Sequence, residues 1–287
     1  MREEHAVQPL PQGLWVVATP IGNLDDMPPR AVQVLRQVDA IAAEDTRRSG
    51  RLLAHFGIDT PLLAYHDHNE QRVAGRLVQR MQAGQRLALI SDAGTPLVSD
   101  PGYRLVALAR EAGLPVRTVP GPSAAVAALS ISGLPVDRFC FLGFPPARGE
   151  ARRRWFQDCA RAAGTVVFYE SSHRIEDALD LLRQLRGETQ PLFLARELTK
   201  LHETSVLAPV ADHLRRLQQD PQQRKGEFVL VLPALPRQSA LSDGDRRWLE
   251  ALSGQLSPSQ LARVGAAVTG MDRQALYRWL SENGSDC

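Results

Sequence analysis

The chain's most distinctive chemistry lies in one long loop, Ser91-Asp92-Ala93-Gly94-Thr95-Pro96-Leu97-Val98-Ser99-Asp100-Pro101-Gly102, directly after the apolar run RLALI. It offers backbone amides, hydroxyls and two carboxylates, and its glycines let a backbone approach a ligand closely. Such a rim suits a ligand with polar edges and a cationic centre. A nucleoside triphosphate would be repelled by Asp92 and Asp100. The plainer reading is a series of turns in which an Asp caps the following helix. Two shorter stretches carry similar promise. Thr19-Pro20-Ile21-Gly22-Asn23-Leu24 and Pro120-Gly121-Pro122-Ser123-Ala124-Ala125 each follow an apolar run. The first is either a ligand-approach turn or a simple strand–helix turn. The second opens a helix of small residues, where Ser123 either donates to a ligand or caps the helix.

Acids and bases form further groups. Glu44-Asp45-Thr46-Arg47-Arg48, followed by Arg51, pairs carboxylates that could orient a hydroxyl with arginines that could hold phosphate. His66-Asp67-His68-Asn69 belongs at the same edge. Its two histidines are spaced i,i+2 without a clear third ligand, so a metal is not expected. Tyr169-Glu170-Ser171-Ser172-His173-Arg174 and Arg196-Glu197-Leu198-Thr199-Lys200 bring an acid, a histidine and arginines to strand ends, with Glu170 and His173 suited to proton transfer. Arg148, Arg152, Arg153, Arg154 and Arg161 face only Glu150 and Asp158. They form either a solvated helix face or an RNA-backbone contact. Three motifs are absent: GxGxxG, GxxxxGK[ST] and the serine-centred GxSxG elbow. Dinucleotide, P-loop and serine-hydrolase chemistry lose their support accordingly.

These residues need a scaffold that puts strand ends together. Strands are expected at 14–19, 38–45, 61–65, 86–90 and 116–119, alternating with helices at 28–37, 46–56, 69–83 and 102–112 and a helix beginning at PGPSAA. That alternation predicts a mostly parallel sheet covered on both faces, with functional loops at the carboxyl ends of the strands. After Leu134-Pro135 the pattern restarts. Strands are expected at 138–144, 164–170, 191–197 and 226–234, with a shorter one at 202–208, and helices at 148–162, 173–185 and 209–219. The expected organisation is an N-terminal α/β domain at 12–133, a C-terminal α/β domain at 138–233, a linker at 233–242 and a small helical tail at 243–283.

Composition agrees with a globular chain of about two domains. Of 287 residues, 34 are Lys or Arg and 32 are Asp or Glu, a net charge of +2. Lys200 and Lys225 are the only lysines. Arginine favours bidentate phosphate contacts, although a global arginine bias also follows genomic base composition. Three scattered cysteines make no disulfide framework and suit a reducing compartment. No apolar stretch reaches a membrane span, and MREEHAVQPLPQG has no signal-peptide core. The expectation is a soluble, cytoplasmic protein.

The runs LWVVATPIGNLDD, AAEDTRRSGRLLAHFGI, ISDAGTPLVSDPG, VPGPSAAVAALSISGLP, FYESSHRI and LARELTKLHE closely resemble the bacterial ribosomal RNA small subunit methyltransferase I family, within the tetrapyrrole methylase superfamily. The likeness covers about residues 12–233, and the helical tail is similar to the small C-terminal unit of the same subgroup. The resemblance implies two α/β domains with S-adenosylmethionine between them, a homodimer, no metal, and 2′-O-methylation of a cytidine ribose at position 1402 of 16S rRNA. Free rRNA and the assembled small subunit remain alternative substrates. By matching position, the resemblance implies cofactor contacts at Pro20, Ile21, Asp92, Gly94, Thr95, Ser123, Ala124, Tyr169 and Pro233.

Transfer to a ribose hydroxyl is an in-line displacement, so positioning carries much of the acceleration. A base would assist, and Glu44, Asp45, Asp100, Glu170 and Glu197 are its unranked candidates. Arg47, Arg48 and Arg51 with Arg152, Arg153 and Arg154 form the expected RNA-binding patches. Two other functions fit less well. A sister enzyme acting on a tetrapyrrole or a protein side chain would need fewer cations. A non-catalytic RNA-binding or assembly factor would not need the 91–102 loop.

Overall fold

In the computed structural model, described for residues 10–235, 241 and 243–283, two five-stranded sheets stand in sequence, followed by three helices. The first contains β1 (Gly13–Val17), β2 (Ala40–Ala43), β3 (Leu62–Ala64), β4 (Arg86–Ile90) and β5 (Val116–Val119), with helices α1 (Pro29–Gln37), α2 (Thr46–His55), α3 (Glu70–Gln82), α4 (Tyr103–Glu111) and α5 (Ala124–Ile131). Its strands are all parallel, in the order β3-β2-β4-β1-β5. Alternate residues supply two cores. Trp15, Val17, Ala88 and Ile90 pack with α1, whereas Leu14, Leu87 and Leu89 pack with α3 and α4. Burial on both faces explains why β1, β2 and β4 read as nearly unbroken apolar runs.

The second sheet contains β6 (Phe139–Phe141), β7 (Thr165–Ser171), β8 (Pro191–Arg196), β9 (Thr204–Pro209) and β10 (Glu227–Leu232), in the order β6-β7-β10-β8-β9. Only the β6–β7 pair is parallel, and the other three pairs are antiparallel. Helices α6 (Gly149–Ala160), α7 (Ile175–Arg186) and α8 (Val210–Gln219) cover one face, around Phe156, Phe168, Leu182 and Leu230. The other face is covered by α5, whose Ala125, Ala128 and Leu129 pack on Val167, Phe193, Val229 and Val231. The small residues of α5 thus bring its backbone close to the second sheet. The last helix of the first unit locks the two units together.

β9 runs the full length of β8, over 204–209 where the sequence suggested 202–208. The tail folds as α9 (Asp243–Ser253), α10 (Pro258–Thr269) and α11 (Arg273–Asn283) around Leu249, Leu261, Leu276 and Leu280. Ser257 and Gln260 form a capping box at the start of α10, and Gly270 ends it at φ 71°. Most of the expected linker, 236–240 and 242, lies outside the described residues, as do Cys287 and most of the N-terminal stretch considered for a signal peptide. Among the described residues no helix is long and apolar enough to cross a membrane.

Candidate functional site

The carboxyl ends of β1, β4 and β5 release three loops that are stitched together by hydrogen bonds. Thr19 and Gly94 exchange backbone bonds of 2.9 and 3.1 Å, and the Thr95 hydroxyl donates to the Pro122 carbonyl at 3.0 Å. Gly94 has φ 81°, and an added Cβ would lie 3.3 Å from the Ile21 side chain. A side chain there would be strained and would press on the cleft wall. Leu97 and Ser99 also have positive φ, 73° and 68°. Strain of this kind persists where the surroundings over-determine the backbone, and it concentrates at ligand sites.

Against these loops lies the second sheet, and between them opens a cleft of about 510 Å³. Ile21, Asp92, Gly94, Thr95, Ser123, Ala124 and Tyr169 all line it, together with Glu44, Arg48 and Asp100. Phe144, Leu198, Val98 and the opening of β10, Gly226–Val229, line it too. The sequence reading places Val98 and Leu198 within candidate loops, but it does not single out Phe144 or Gly226–Val229. The one local signal for Phe144 is its place just beyond the carboxyl end of β6, which stops at Phe141.

Two expected cofactor contacts fall elsewhere. Pro20 is buried and does not line the cleft, whereas its neighbour Ile21 does. Pro233 lies at the wrong end of β10. That strand runs antiparallel to β7, pairing Glu227 with Ser171 at the cleft and Leu232 with Val166 at the far end. Four residues of chain past Val229 put Pro233 roughly 13 Å beyond the cleft end. Its carbonyl instead accepts from Arg186 Nη2 at 2.6 Å.

The five acid candidates separate by environment. Asp100 lines the cleft, and burial, reinforced by the negative charges of Glu44 and Asp92, pushes its carboxyl up to about 6. Burial and the Asp92 and Asp67 charges likewise raise Glu44 above the usual carboxylate range. Asp45 caps α2, accepting from the Arg47 backbone at 2.8 Å, and its bonds to Arg47 hold it down to about 2. Glu197 accepts from Lys200 Nζ at 2.9 Å and from the Glu227 backbone at 2.8 Å. Burial raises its carboxyl, but those donors outweigh burial and leave it below its ordinary value. Glu170 touches the cleft but is fully buried as a side chain, with Arg152 Nη2 at 2.9 Å and Arg174 Nε at 3.1 Å. Tyr169 and Glu170 alternate on β7, so the tyrosine packs with the α5 face while the acid packs toward α6 and α7. Asp45, Glu170 and Glu197 are thus held by cationic or backbone donors, whereas Asp100 and Glu44 line the cleft with their proton affinity raised.

Asp92, at the cleft wall, also anchors α2. Its carboxylate accepts the Asp45 backbone N–H at 3.0 Å and pairs with Arg48 Nη1 at 3.2 Å, which holds the start of α2 at the cleft. Arg47, Arg48 and Arg51 are exposed. So are Arg153 and Arg154, but Arg152 corrects the expectation of a three-arginine patch. It is 3% exposed, pairs with Glu170 and Asp177, and lies over the Phe156 ring. Helical geometry turns one residue of three consecutive arginines inward. His66 and His68 have ring centroids 5.9 Å apart, and no metal-ready group of His, Cys, Asp or Glu occurs among the described residues.

A family profile for tetrapyrrole (corrin/porphyrin) methylases matches residues 13–213, which take in the first sheet and the second as far as β9. Whole-length relatives refine the match. A ribosomal RNA small subunit methyltransferase I of Xylella fastidiosa (strain Temecula1) is 49% identical over 93% of this chain and 98% of its own. The corresponding protein of Escherichia coli O157:H7 is 47% identical over 94% of each. The chain belongs to the ribosomal RNA small subunit methyltransferase I family. As a member of that family of tetrapyrrole methylases it is an enzyme, a methyltransferase. Solved structures share its fold. Uroporphyrin-III-C-methyltransferase from Thermus thermophilus aligns with a TM-score of 0.52 at 21% identity, covering 76% of this chain and 93% of that one. Diphthine synthase aligns with a TM-score of 0.57 at 14% identity, covering 77% and 89%.

Proposed function

We propose that this enzyme transfers the methyl group of S-adenosylmethionine to the 2′-hydroxyl of a cytidine, position 1402, in 16S rRNA, acting as a homodimer in the cytoplasm. The observation that carries the reading is the acid-rimmed cleft. Glu44, Asp92 and Asp100 meet there at the ends of parallel strands, with exposed arginines just outside.

The residues fit this cofactor. Its centre is a cation, which the three carboxylates favour. The Ser123 side chain makes no capping bond to its own helix, so its hydroxyl and the Ala124 amide at the start of α5 suit a carboxylate. Ile21, Leu198 and Val229 supply apolar wall for a flat ring. When bound, the cofactor supplies an electrophilic methyl group on a positively charged sulfur.

The chain's own part is to hold and to deprotonate. Orientation of the two reactants contributes up to roughly 7–11 kcal/mol in favourable cases. Asp100 is the proton acceptor we assign. A carboxyl near 6 is ionised at neutral pH yet is a stronger base than an ordinary aspartate. Arg47, Arg48 and Arg51 hold the RNA backbone outside the acid rim. The tail, with its separate core, orients the RNA rather than forming the cleft.

The test supplies labelled S-adenosylmethionine with immature small subunits, naked 16S rRNA or a porphyrinoid. Label on a 16S rRNA cytidine ribose supports the proposal, and label on the macrocycle or on nothing overturns it. Light scattering that gives a stable 31.6 kDa particle at micromolar concentration would overturn the dimer.

A further inference from the structure

The cleft volume, about 510 Å³, suits small ligands and admits no duplex. A ribose buried in RNA reaches such a cleft only if its nucleoside leaves the stack, which forfeits base stacking. RNA-binding sites replace that loss with an exposed aromatic face.

One side chain at the cleft has the right form. Phe144 lines it, yet 53% of the residue is exposed. Its ring meets Tyr169 edge to face, with centroids 5.3 Å apart and planes at 61°. Tyr169 is held in turn by Phe141 at 4.9 Å, so the three rings buttress one another. The backbone beneath is fixed. Gly143 turns at φ 66°, its carbonyl accepts from the Tyr169 amide at 2.9 Å, and Pro145 and Pro146 follow. A rigid ring, packed on one edge and open to solvent elsewhere, is an unfilled apolar surface at the entrance of the cleft. Opposite, on the first unit, Arg48 lines the same cleft with its side chain 71% exposed. An aromatic face on one wall and a guanidinium on the other match a nucleobase with its phosphate.

We propose that Phe144 is the stacking platform for the extruded target nucleoside. The assignment rests on the RNA reading above and makes Phe144 an RNA contact rather than a wall of the cofactor site. Any base offers a π-face, so the platform adds affinity and position without choosing the base.

The experiment compares wild type with Phe144→Ala, Phe144→Leu and Phe144→Tyr, using small subunits or 16S rRNA, whichever the wild type methylates. Kcat/KM for RNA is read beside S-adenosylmethionine affinity by calorimetry and mass by light scattering. Phe144→Ala and Phe144→Leu are expected to lose about 5- to 150-fold in kcat/KM, and Phe144→Tyr to keep it. Cofactor affinity should stay within about twofold in all three. Leucine performing as well as phenylalanine would reduce the ring to apolar packing and overturn the proposal. A parallel loss of cofactor affinity would place the ring in the cofactor site and also overturn it, and a change in mass would assign it to a subunit contact. A wild type that methylates no RNA refutes the parent reading instead, before any variant is compared.

Discussion

Arg152 and Glu170 form an ion pair of 2.9 Å whose side chains are 4% and 0% exposed. The pair joins α6 to the carboxyl end of β7 and sits behind Tyr169, out of reach of solvent. Arg152 also donates to Asp177 at 2.7 Å and to the Pro146 carbonyl at 3.2 Å, so one guanidinium ties down the strand, the next helix and the turn after Phe144. Removing one member of a buried pair strands the other charge, at a typical cost of about 3–5 kcal/mol. Arg152→Ala is therefore expected to lower the free energy of unfolding in urea by about 3 kcal/mol, near the lower end because Arg174 still faces Glu170. Exposed Arg153→Ala should change it by less than about 0.5 kcal/mol.

The buried position of Arg152 also changes how RNA binding is tested. Arg153→Gln with Arg154→Gln leaves the fold intact and removes two exposed cations. Should both touch phosphate, the log–log salt slope for RNA binding becomes shallower by about 1.4 to 1.8. Filter binding at several salt concentrations measures it, and an unchanged slope leaves α6 as a solvated face. S-adenosylmethionine affinity should not move.

Asp100 predicts a pH dependence with a definite sign. Its folded value, about 6, lies above its ordinary 3.8, so the folded protein holds this proton more tightly than the unfolded chain does. Stability should consequently fall as pH rises from about 4 to 6 and lose nothing further from this group above that range. Asp100→Asn should stabilise the protein at pH 7 and have little effect at pH 4, which denaturation at both values would show. Binding of a cationic ligand should follow the opposite trend. Affinity for S-adenosylmethionine should rise between pH 5 and 7 as Asp100 ionises, and affinity for the uncharged thioether product should rise less. Calorimetry with both ligands checks the difference.

Asp92 joins two roles that one substitution can separate. Asp92→Ala removes the acceptor of the Asp45 amide along with the charge, and should weaken cofactor binding and destabilise the start of α2 by about 1–3 kcal/mol. Asp92→Asn keeps an acceptor oxygen. It should melt near the wild-type temperature and still bind the cofactor less well.

The tail predicts a clean truncation. α9, α10 and α11 enclose their own core, and loss of residues 236–287 removes no residue that lines the cleft. The shortened enzyme should bind S-adenosylmethionine as the full chain does and lose RNA affinity. Loss of cofactor affinity in a folded truncation would assign the tail to the cleft.

Much of this architecture is written in local pattern. An apolar run such as RLALI announces a strand covered on both faces, and RLALI and VRTV both form strands over those same residues, Arg86–Ile90 and Val116–Val119. The 91–102 loop, Ile21 and Ser123 were likewise legible, because a loop at a strand's carboxyl end is positioned by the strand alone. What the linear sequence does not carry is direction and facing. Strand polarity moved Pro233 to the far end of β10 and brought Gly226–Val229 to the cleft in its place. Helical rotation sent Arg152 inward while Arg153 and Arg154 stayed outside, although the three are adjacent and alike. The same holds for the five acids. Residue type offered all of them as bases, but the partners that hold Asp45, Glu170 and Glu197, and the burial that raises Asp100 and Glu44, exist only once distant segments meet. A carboxylate's proton affinity depends on the charges and donors within a few ångströms, and those neighbours are set by tertiary packing.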